Sequence, residues 1–366
     1  MLRKYFMVKP TDKKKLLIVN PAQFGYGAGY HYYCKNLKDA FDIDFLCIDK
    51  GFTKIDESKI NIIYWPDEKN RLKRLLGFIY HAVRLSWGKK YDVVFCVYFR
   101  WVYLLGLFCR GDLKILDIRT VSLSDNALQR FLYNGMNLFS CLFFGKITTI
   151  TKSIAELLKL PSGKTFYLPL GATTLDDTVK NYDKTHLLYI GTLHNRQIEK
   201  TIEGFVRFYK KYKNAVSLRY DIIGFSHDLA DEKRIVETIE ENNLNSIVVF
   251  HGRKNHLQVK EYIQKATIGV CFVPQKPYYD VQPPTKIFEY VLSGLITIAT
   301  NTKENRRLIT DINGVICEDN ADSFCAALEK IYANLDEYND RKIRDSLNEY
   351  NWENIVKNVL LPILEK

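Results

Sequence analysis

The chain has 366 residues, 47% hydrophobic and 26% charged, which supplies enough apolar surface for two cores and excludes a disordered chain. Its eight cysteines (34, 47, 96, 109, 141, 271, 317 and 325) form no C-x-x-C pair, which argues against a structural zinc site and a disulfide framework and fits a reducing cytoplasm. The net charge of +11 is uneven: residues 1–170 hold 27 Lys/Arg against 14 Asp/Glu, or +13, whereas residues 171–366 hold 26 against 28, or −2. Such an excess in the first half points to an acidic partner: a membrane surface, a phosphorylated acceptor or nucleic acid. No apolar run reaches the length of a membrane span, and residues 1–15 are basic without the apolar core of a signal peptide. A cytoplasmic protein is expected.

In chain order, β-branched runs predict strands at 15–20, 43–49, 60–65, 92–98, 114–119, 146–151 and 165–170. Helical patterns fall between most of them, notably at 68–87 and 125–143. The pattern starts afresh with strands at 187–191, 218–224, 247–252, 268–273, 296–300 and 314–318, again separated by helices. This alternation marks parallel α/β layers, so the fold class is α/β, with two doubly wound, Rossmann-like domains facing across a cleft. Residues 1–170 form the first and 186–350 the second. The aperiodic segment 171–185 reads as a linker. Ligands of such sheets bind beyond the carboxyl ends of the strands, so the loops there are where chemistry is sought.

After the first strand, Asn20 to Gly29 form a turn rich in glycine (Gly25, Gly27, Gly29), able to let backbone N–H groups approach a phosphate or sugar; a flexible surface turn reads equally well. The spacing is not that of a dinucleotide fingerprint. After the fifth strand, Asp117 and Arg119 stand where the sheet opens, as cleft residues or a structural ion pair. In the second half, Thr192 and Arg196 follow a strand, and Arg196 can fork onto a diphosphate as a lysine cannot. Gly224 ends the next strand, and Gly252 followed by Arg253 ends the one after; glycine there lets a flat base approach the backbone. The densest signal is Pro283-Pro284-Thr285-Lys286-Ile287-Phe288-Glu289-Tyr290, closed by Gly294. Prolines suit a helix start and Gly294 its end. Thr285 and Glu289, four apart, share a face; Lys286 and the helix N-terminus attract an anion, and Glu289 can accept from paired ribose hydroxyls. A capped helix with a surface ion pair is the bland alternative.

Taken together, Gly191-Thr192-Leu193…Arg196, Gly224, Phe250-His251-Gly252-Arg253 and Pro284-Thr285-Lys286…Glu289-Tyr290…Gly294 resemble the nucleotide-sugar domain of retaining GT-B glycosyltransferases of family 4 type. The resemblance covers 186–318 and extends to Tyr350–Asn354, which look like that family's terminal helix start; 351–366 would then pack back toward the N-terminal domain. It implies that Glu289 holds the ribose, that Thr285, Lys286 and Arg196 meet the diphosphate and donor sugar, that Gly252 and Arg253 border the base, and that Gly25, Gly27 and Gly29 face the diphosphate from the other domain. Thr192 stands where that family commonly has a first arginine. Many members carry two glutamates separated by seven residues; counting back from Glu289 places the first at Val281, with Asp280 one position off, so either Asp280 substitutes or the chain has only the later glutamate. Lys286, Arg196 and the helix dipole would stabilise the leaving diphosphate; Asp280 and Arg119 are further catalytic candidates. No metal and no cofactor beyond the nucleotide-sugar co-substrate are expected.

The resemblance implies sugar transfer from a nucleoside diphosphate sugar to a glycan or lipid-linked glycan in surface-polysaccharide assembly, with no nucleic acid as partner. The alternatives are a nucleotide-sugar 2-epimerase of the same architecture and a non-catalytic basic protein binding acidic lipid or nucleic acid. Residues 68–90 interleave Arg71, Lys73, Arg74, Arg84, Lys89 and Lys90 with apolar and aromatic side chains, as an amphipathic helix on an anionic membrane would; a core-packed helix reads as well. The aromatic segment 128–144 is expected to be buried.

Overall fold

The computed structural model describes residues 13–365 apart from 28, 215 and 216, and the side chains of 256 and 257; the basic segment 1–12 lies outside the described residues. The first seven strands are β1 (Lys14–Val19), β2 (Phe41–Asp49), β3 (Ile60–Pro66), β4 (Val93–Val97), β5 (Leu113–Ile118), β6 (Lys146–Thr149) and β7 (Thr165–Tyr167). They form one parallel sheet in the order β3-β2-β1-β4-β5-β6-β7. The next six are β8 (Thr185–Thr192), β9 (Leu218–Phe225), β10 (Val248–Phe250), β11 (Ile268–Cys271), β12 (Ile296–Thr300) and β13 (Gly314–Cys317), parallel in the order β10-β9-β8-β11-β12-β13. Helices cover both faces, so the inner strands are near-continuous apolar runs, as at Leu16 to Val19 and Ile296 to Ala299, all buried. In each sheet the order reverses once, between β1 and β4 and between β8 and β11.

Four helices of the first half matter below: α1 (Tyr30–Leu37), α2 (Arg71–Gly88), α3 (Tyr103–Phe108) and α4 (Ala127–Ser140). α2 starts at Arg71 because the Asn70 side chain accepts from the Leu72 and Lys73 amides. It buries Phe78, Ile79 and Ala82 against the sheet while leaving Leu72, Leu76, Tyr80 and Trp87 exposed. α4 departs from expectation. Its buried residues are Asn137 and Ser140, while Leu128, Phe131 and Leu132 lie exposed. The segment expected to be buried therefore turns its apolar stripe outward.

The segment after β7 has no regular helix or strand, yet it is pinned. The Lys180 ammonium pairs with Asp176 at 2.7 Å and donates to the Ile263 and Gln264 carbonyls, with both side chains buried. Near its start, Ala172 and Asn351 form a short bridge: the Ala172 amide donates to the Tyr350 carbonyl and the Trp352 amide to the Ala172 carbonyl, each at 3.1 Å. The chain beyond Asn351 then returns to the first sheet. Trp352 packs on Tyr32 and Tyr33, and Ile355, Val356, Leu360, Ile363 and Leu364 join a core with Leu16, Ile18 and Phe95. Across the gap between the sheets, the Thr151 hydroxyl donates to the Val281 carbonyl at 2.6 Å, and Lys303 pairs with Glu156 at 3.0 Å.

Candidate active site

The reversal between β8 and β11 opens a crevice, and one tyrosine props it. β8 pairs with β11 only as far as Tyr189, and the next amide, that of Ile190, donates instead to the buried Tyr290 hydroxyl at 2.8 Å. Tyr290 reaches that far because Gly269 lies under its ring, where a Cβ would sit 2.4 Å from a ring carbon. The helix Lys286–Leu292 thus hangs beside the crevice with Tyr290 inward. It ends at Gly294, whose φ of +78° suits glycine.

A cavity of about 260 Å³ fills the crevice, lined among others by Thr192, Arg196, Pro284, Thr285 and Lys286. Arg196 arrives through a tight turn in which its neighbours Asn195 and Gln197 both have φ of +55°, and its guanidinium lies 4.4 Å over the Tyr279 ring. The cavity is therefore cationic at its mouth. Cys271 lines it too, but burial pushes its thiol up to about 12, so it offers no thiolate nucleophile at neutral pH.

A second cavity, about 430 Å³, lies between the two sheets, and Thr285 belongs to both. Gly25, Gly27 and Gly29 form one wall, with Gly171 to Thr173, and Thr285 and Glu289 form the other. The Glu289 carboxylate is held at 2.5 Å by Lys286. Gly29 has φ of +84°, and a Cβ there would meet the Trp352 ring at 2.2 Å, so this glycine is where the loop, α1 and the returning C-terminal segment touch. Among the described residues no group of three or more His, Cys, Asp or Glu is disposed to hold a metal ion.

The remaining expected site residues lie elsewhere. Gly224 and Gly252 adjoin through an N–H to carbonyl bond of 3.0 Å, and a Cβ on Gly224 would lie 2.3 Å from the Gly191 carbonyl oxygen. Arg253 covers the Phe225 ring at 4.6 Å. These three form a rim beyond β9 and β10, outside the lining of either cavity. Asp280 is turned away: its carboxylate accepts from the Lys303 amide and lines neither cavity. Arg119 lies under α1, donating to Asp117 and to the Tyr33 hydroxyl at 2.8 Å each, with its guanidinium 3.8 Å over the Tyr30 ring. That network ties α1 to the sheet. Residues that sequence reasoning missed are His31, Tyr32 and Trp352, which line the larger cavity. A His-Tyr pair directly after the glycine turn was the available signal for the first two; Trp352 is too remote in sequence to be suspected.

The reversal of the first sheet, between β1 and β4, carries a third cavity, about 460 Å³. Its walls include Pro21 after β1, Lys50 after β2, Arg71 and Arg74 on α2, and Phe99 to Trp101 after β4. Beside these cations Asp67 accepts from Arg74 at 2.7 Å and from Lys50 at 3.3 Å. Trp101 has φ of +68°, a left-handed conformation costing a bulky residue about 1 kcal/mol or more.

Residues 184–334 match the family model of the group 1 glycosyl transferases. That stretch holds β8 to β13 and the walls contributed by Arg196, Thr285, Lys286 and Glu289. No curated protein matches the sequence. Solved structures resemble the whole chain. Sucrose-phosphate synthase from Thermosynechococcus elongatus is 17% identical with a TM-score of 0.72, covering 96% of this chain and 99% of its own. Alr3699/HepE from Anabaena, solved with UDP and glucose, is 10% identical with a TM-score of 0.74, covering 96% and 100%. A glycosyltransferase from Rickettsia africae is 13% identical with a TM-score of 0.70, covering 97% and 99%. The architecture is GT-B.

Proposed function

We propose that this protein is a nucleotide-sugar-dependent glycosyltransferase acting on a glycan or lipid-linked glycan in cell-surface polysaccharide assembly. One observation carries the reading: Thr285 joins a cationic cavity at Lys286 and Arg196 to an interdomain cavity where Glu289 faces Gly25, Gly27 and Gly29. A nucleoside diphosphate sugar has the matching parts. Its ribose hydroxyls suit the Glu289 carboxylate, and its diphosphate suits Lys286 and Arg196, while the base lies along the rim of Gly224, Gly252 and Arg253. UDP-glucose and UDP bound to HepE support such a donor.

Transfer with retention would proceed on the front side. The acceptor oxygen bonds to the anomeric carbon as the bond from that carbon to the diphosphate oxygen breaks, and the acceptor proton passes to the leaving diphosphate. The protein supplies positioning and stabilises the departing negative charge, and two cationic side chains meet that need without a metal. The chain's resting state already opposes Lys286 to Glu289, so donor binding exchanges one ion pair for contacts to phosphate and ribose.

The acceptor side we assign to the third cavity. Arg71, Arg74, Lys50 and Arg100 suit a phosphate, and Phe99 and Trp101 a sugar face or lipid chain, which fits a phosphate-bearing acceptor. The enzyme would work at the cytoplasmic face of the membrane, meeting it through residues 68–90. Hydrolysis of UDP-, GDP- and other nucleotide sugars by the wild type and by Glu289→Ala tests the reading. Slow donor cleavage abolished by the substitution is expected; no nucleotide binding, with tight salt-sensitive binding of nucleic acid instead, would overturn it.

A further inference from the structure

α4 is an amphipathic helix turned inside out. Leu128, Phe131 and Leu132, with Leu142 in the turn that follows, recur at helical spacing, yet they are 65, 74, 60 and 70% exposed. The side chains that the helix buries are polar, those of Asn137 and Ser140. The apolar face does not stop there. Phe139 packs on Tyr103 at 5.2 Å, at the start of α3, and α3 ends in exposed Leu107 and Phe108. The Phe108 carbonyl accepts from the Trp87 indole at 2.9 Å, and Trp87 is the last member of the exposed stripe on α2. A continuous apolar surface therefore runs over three helices of one domain, larger than the scattered exposure usual for a soluble monomer.

Its electrostatic setting selects the occupant. Residues 69–91 contain seven Lys/Arg and no Asp or Glu. Arg74 among them pairs with Asp67 and Lys89 with Asp42 and Asp44, which leaves Lys69, Arg71, Lys73, Arg84 and Lys90, and residues 126–155 add Arg130 and Lys152 with no Asp or Glu. The Arg110 guanidinium lies 3.2 Å over the exposed Trp87 ring, an aromatic and a cation paired at the surface as at a membrane–water boundary. A second copy of the chain would bring the same cations against these, which is repulsive. An anionic lipid surface offers both hydrocarbon for the leucines and phenylalanines and negative charge for the arginines and lysines. No helix among the described residues is long and apolar enough to cross a membrane, so this would be contact with one leaflet.

We propose that α4, the end of α3 and the exposed stripe of α2 form a docking surface for an anionic lipid bilayer. The core of the contact is α4, which residue pattern alone assigned to the protein interior, and α2 contributes its outer face only. The inference stands on surface chemistry and does not require the donor site to work as proposed. The third cavity opens beside the first turn of α2, so a phosphate carried by a membrane lipid would meet Arg71 and Arg74 at the edge of this surface.

The test is co-sedimentation of the full chain with vesicles of phosphatidylcholine alone or mixed with phosphatidylglycerol. Two variants accompany it: Leu128→Ser/Phe131→Ser/Leu132→Ser, which removes exposed apolar groups, and Lys73→Glu/Arg84→Glu. Melting temperature and nucleotide-sugar hydrolysis without vesicles are followed in parallel. Wild type should favour the anionic vesicles at least about tenfold, each variant should lose about tenfold or more, and melting and hydrolysis should stay unchanged. Absence of wild-type binding to anionic vesicles, or binding unaffected by the leucine and phenylalanine changes, overturns the proposal. So does a wild-type dimer in light scattering that the triple variant converts to monomer, since a second copy would then cover the face. Loss of hydrolysis with intact vesicle binding would strike the transferase reading alone.

Discussion

Replacing Glu289 by glutamine probes the point where the two donor cavities meet. The carboxylate side chain is 19% exposed and its partner Lys286 27%. A carboxylate that accepts from two ribose hydroxyls makes two charge-assisted bonds of about 1.5–3 kcal/mol each. Glutamine keeps one acceptor oxygen, so roughly half of that gain survives. Against the loss, the wild type must first open the Lys286–Glu289 pair, and a partly exposed pair three residues apart is worth under about 1 kcal/mol. The net effect is about 1–2 kcal/mol, a rise in Kd of about 5- to 30-fold. Titration calorimetry with UDP and GDP on both proteins reads this directly. Thermal unfolding of the free proteins should differ by less than about 4 °C, because only the exposed pair is lost. An affinity within threefold of wild type would refute the assignment of Glu289 to the nucleotide. An affinity loss matched by a large fall in melting temperature would instead make Glu289 a structural residue.

Three other outcomes are expected. Arg71→Gln with Arg74→Gln should raise the KM for a phosphate-bearing acceptor about tenfold or more while leaving donor hydrolysis unchanged, read by initial rates with and without acceptor. Gly29→Ala should cost about 1–3 kcal/mol in urea unfolding, because the added Cβ collides with the Trp352 ring and the residue has φ of +84°; Trp352 fluorescence would report the displacement. Asp221 is buried; burial pushes its carboxyl up, but hydrogen bonds from His186, Arg219 and His251 outweigh this and hold it well below the ordinary range. Its stabilising contribution is therefore present above about pH 4 and is lost as pH falls further toward the folded value. Asp221→Asn should cost about 3 kcal/mol at neutral pH, with the gap to wild type closing below about pH 4 in urea unfolding.

The strands were legible because each is a short run rich in apolar and β-branched residues, and the inner ones are enclosed on both faces, a local property of composition. The helix after Pro284 was legible for a related reason: anion attraction, paired hydroxyl acceptance and helix punctuation lie within a dozen residues. What Tyr290 does was not, because its hydroxyl serves an amide a hundred residues away in β8. Asp280 drew attention as the neighbour of the position where the resembled family carries its first glutamate, and Arg119 as a charge near a strand end. Their partners, the Lys303 amide for one and Asp117 with Tyr33 for the other, are supplied by tertiary packing that no local pattern encodes. α4 shows a further limit. Periodicity reveals that a helix has an apolar face, but only the surrounding fold decides whether that face meets the core.

The bridge at Ala172 and Asn351 has a mechanical consequence. The polypeptide crosses from one sheet to the other twice, and the two crossings are hydrogen-bonded to each other at one spot. Two threads knotted together at a single point resist sliding and separation but permit turning, so the line through that point is the natural spine for any change of angle between the sheets. Gly171, Ala172 and Trp352 at this spine are also walls of the cavity between the sheets. The glycine turn and Glu289 are opposite walls of that same cavity, so a change of inter-sheet angle about this spine would alter their separation.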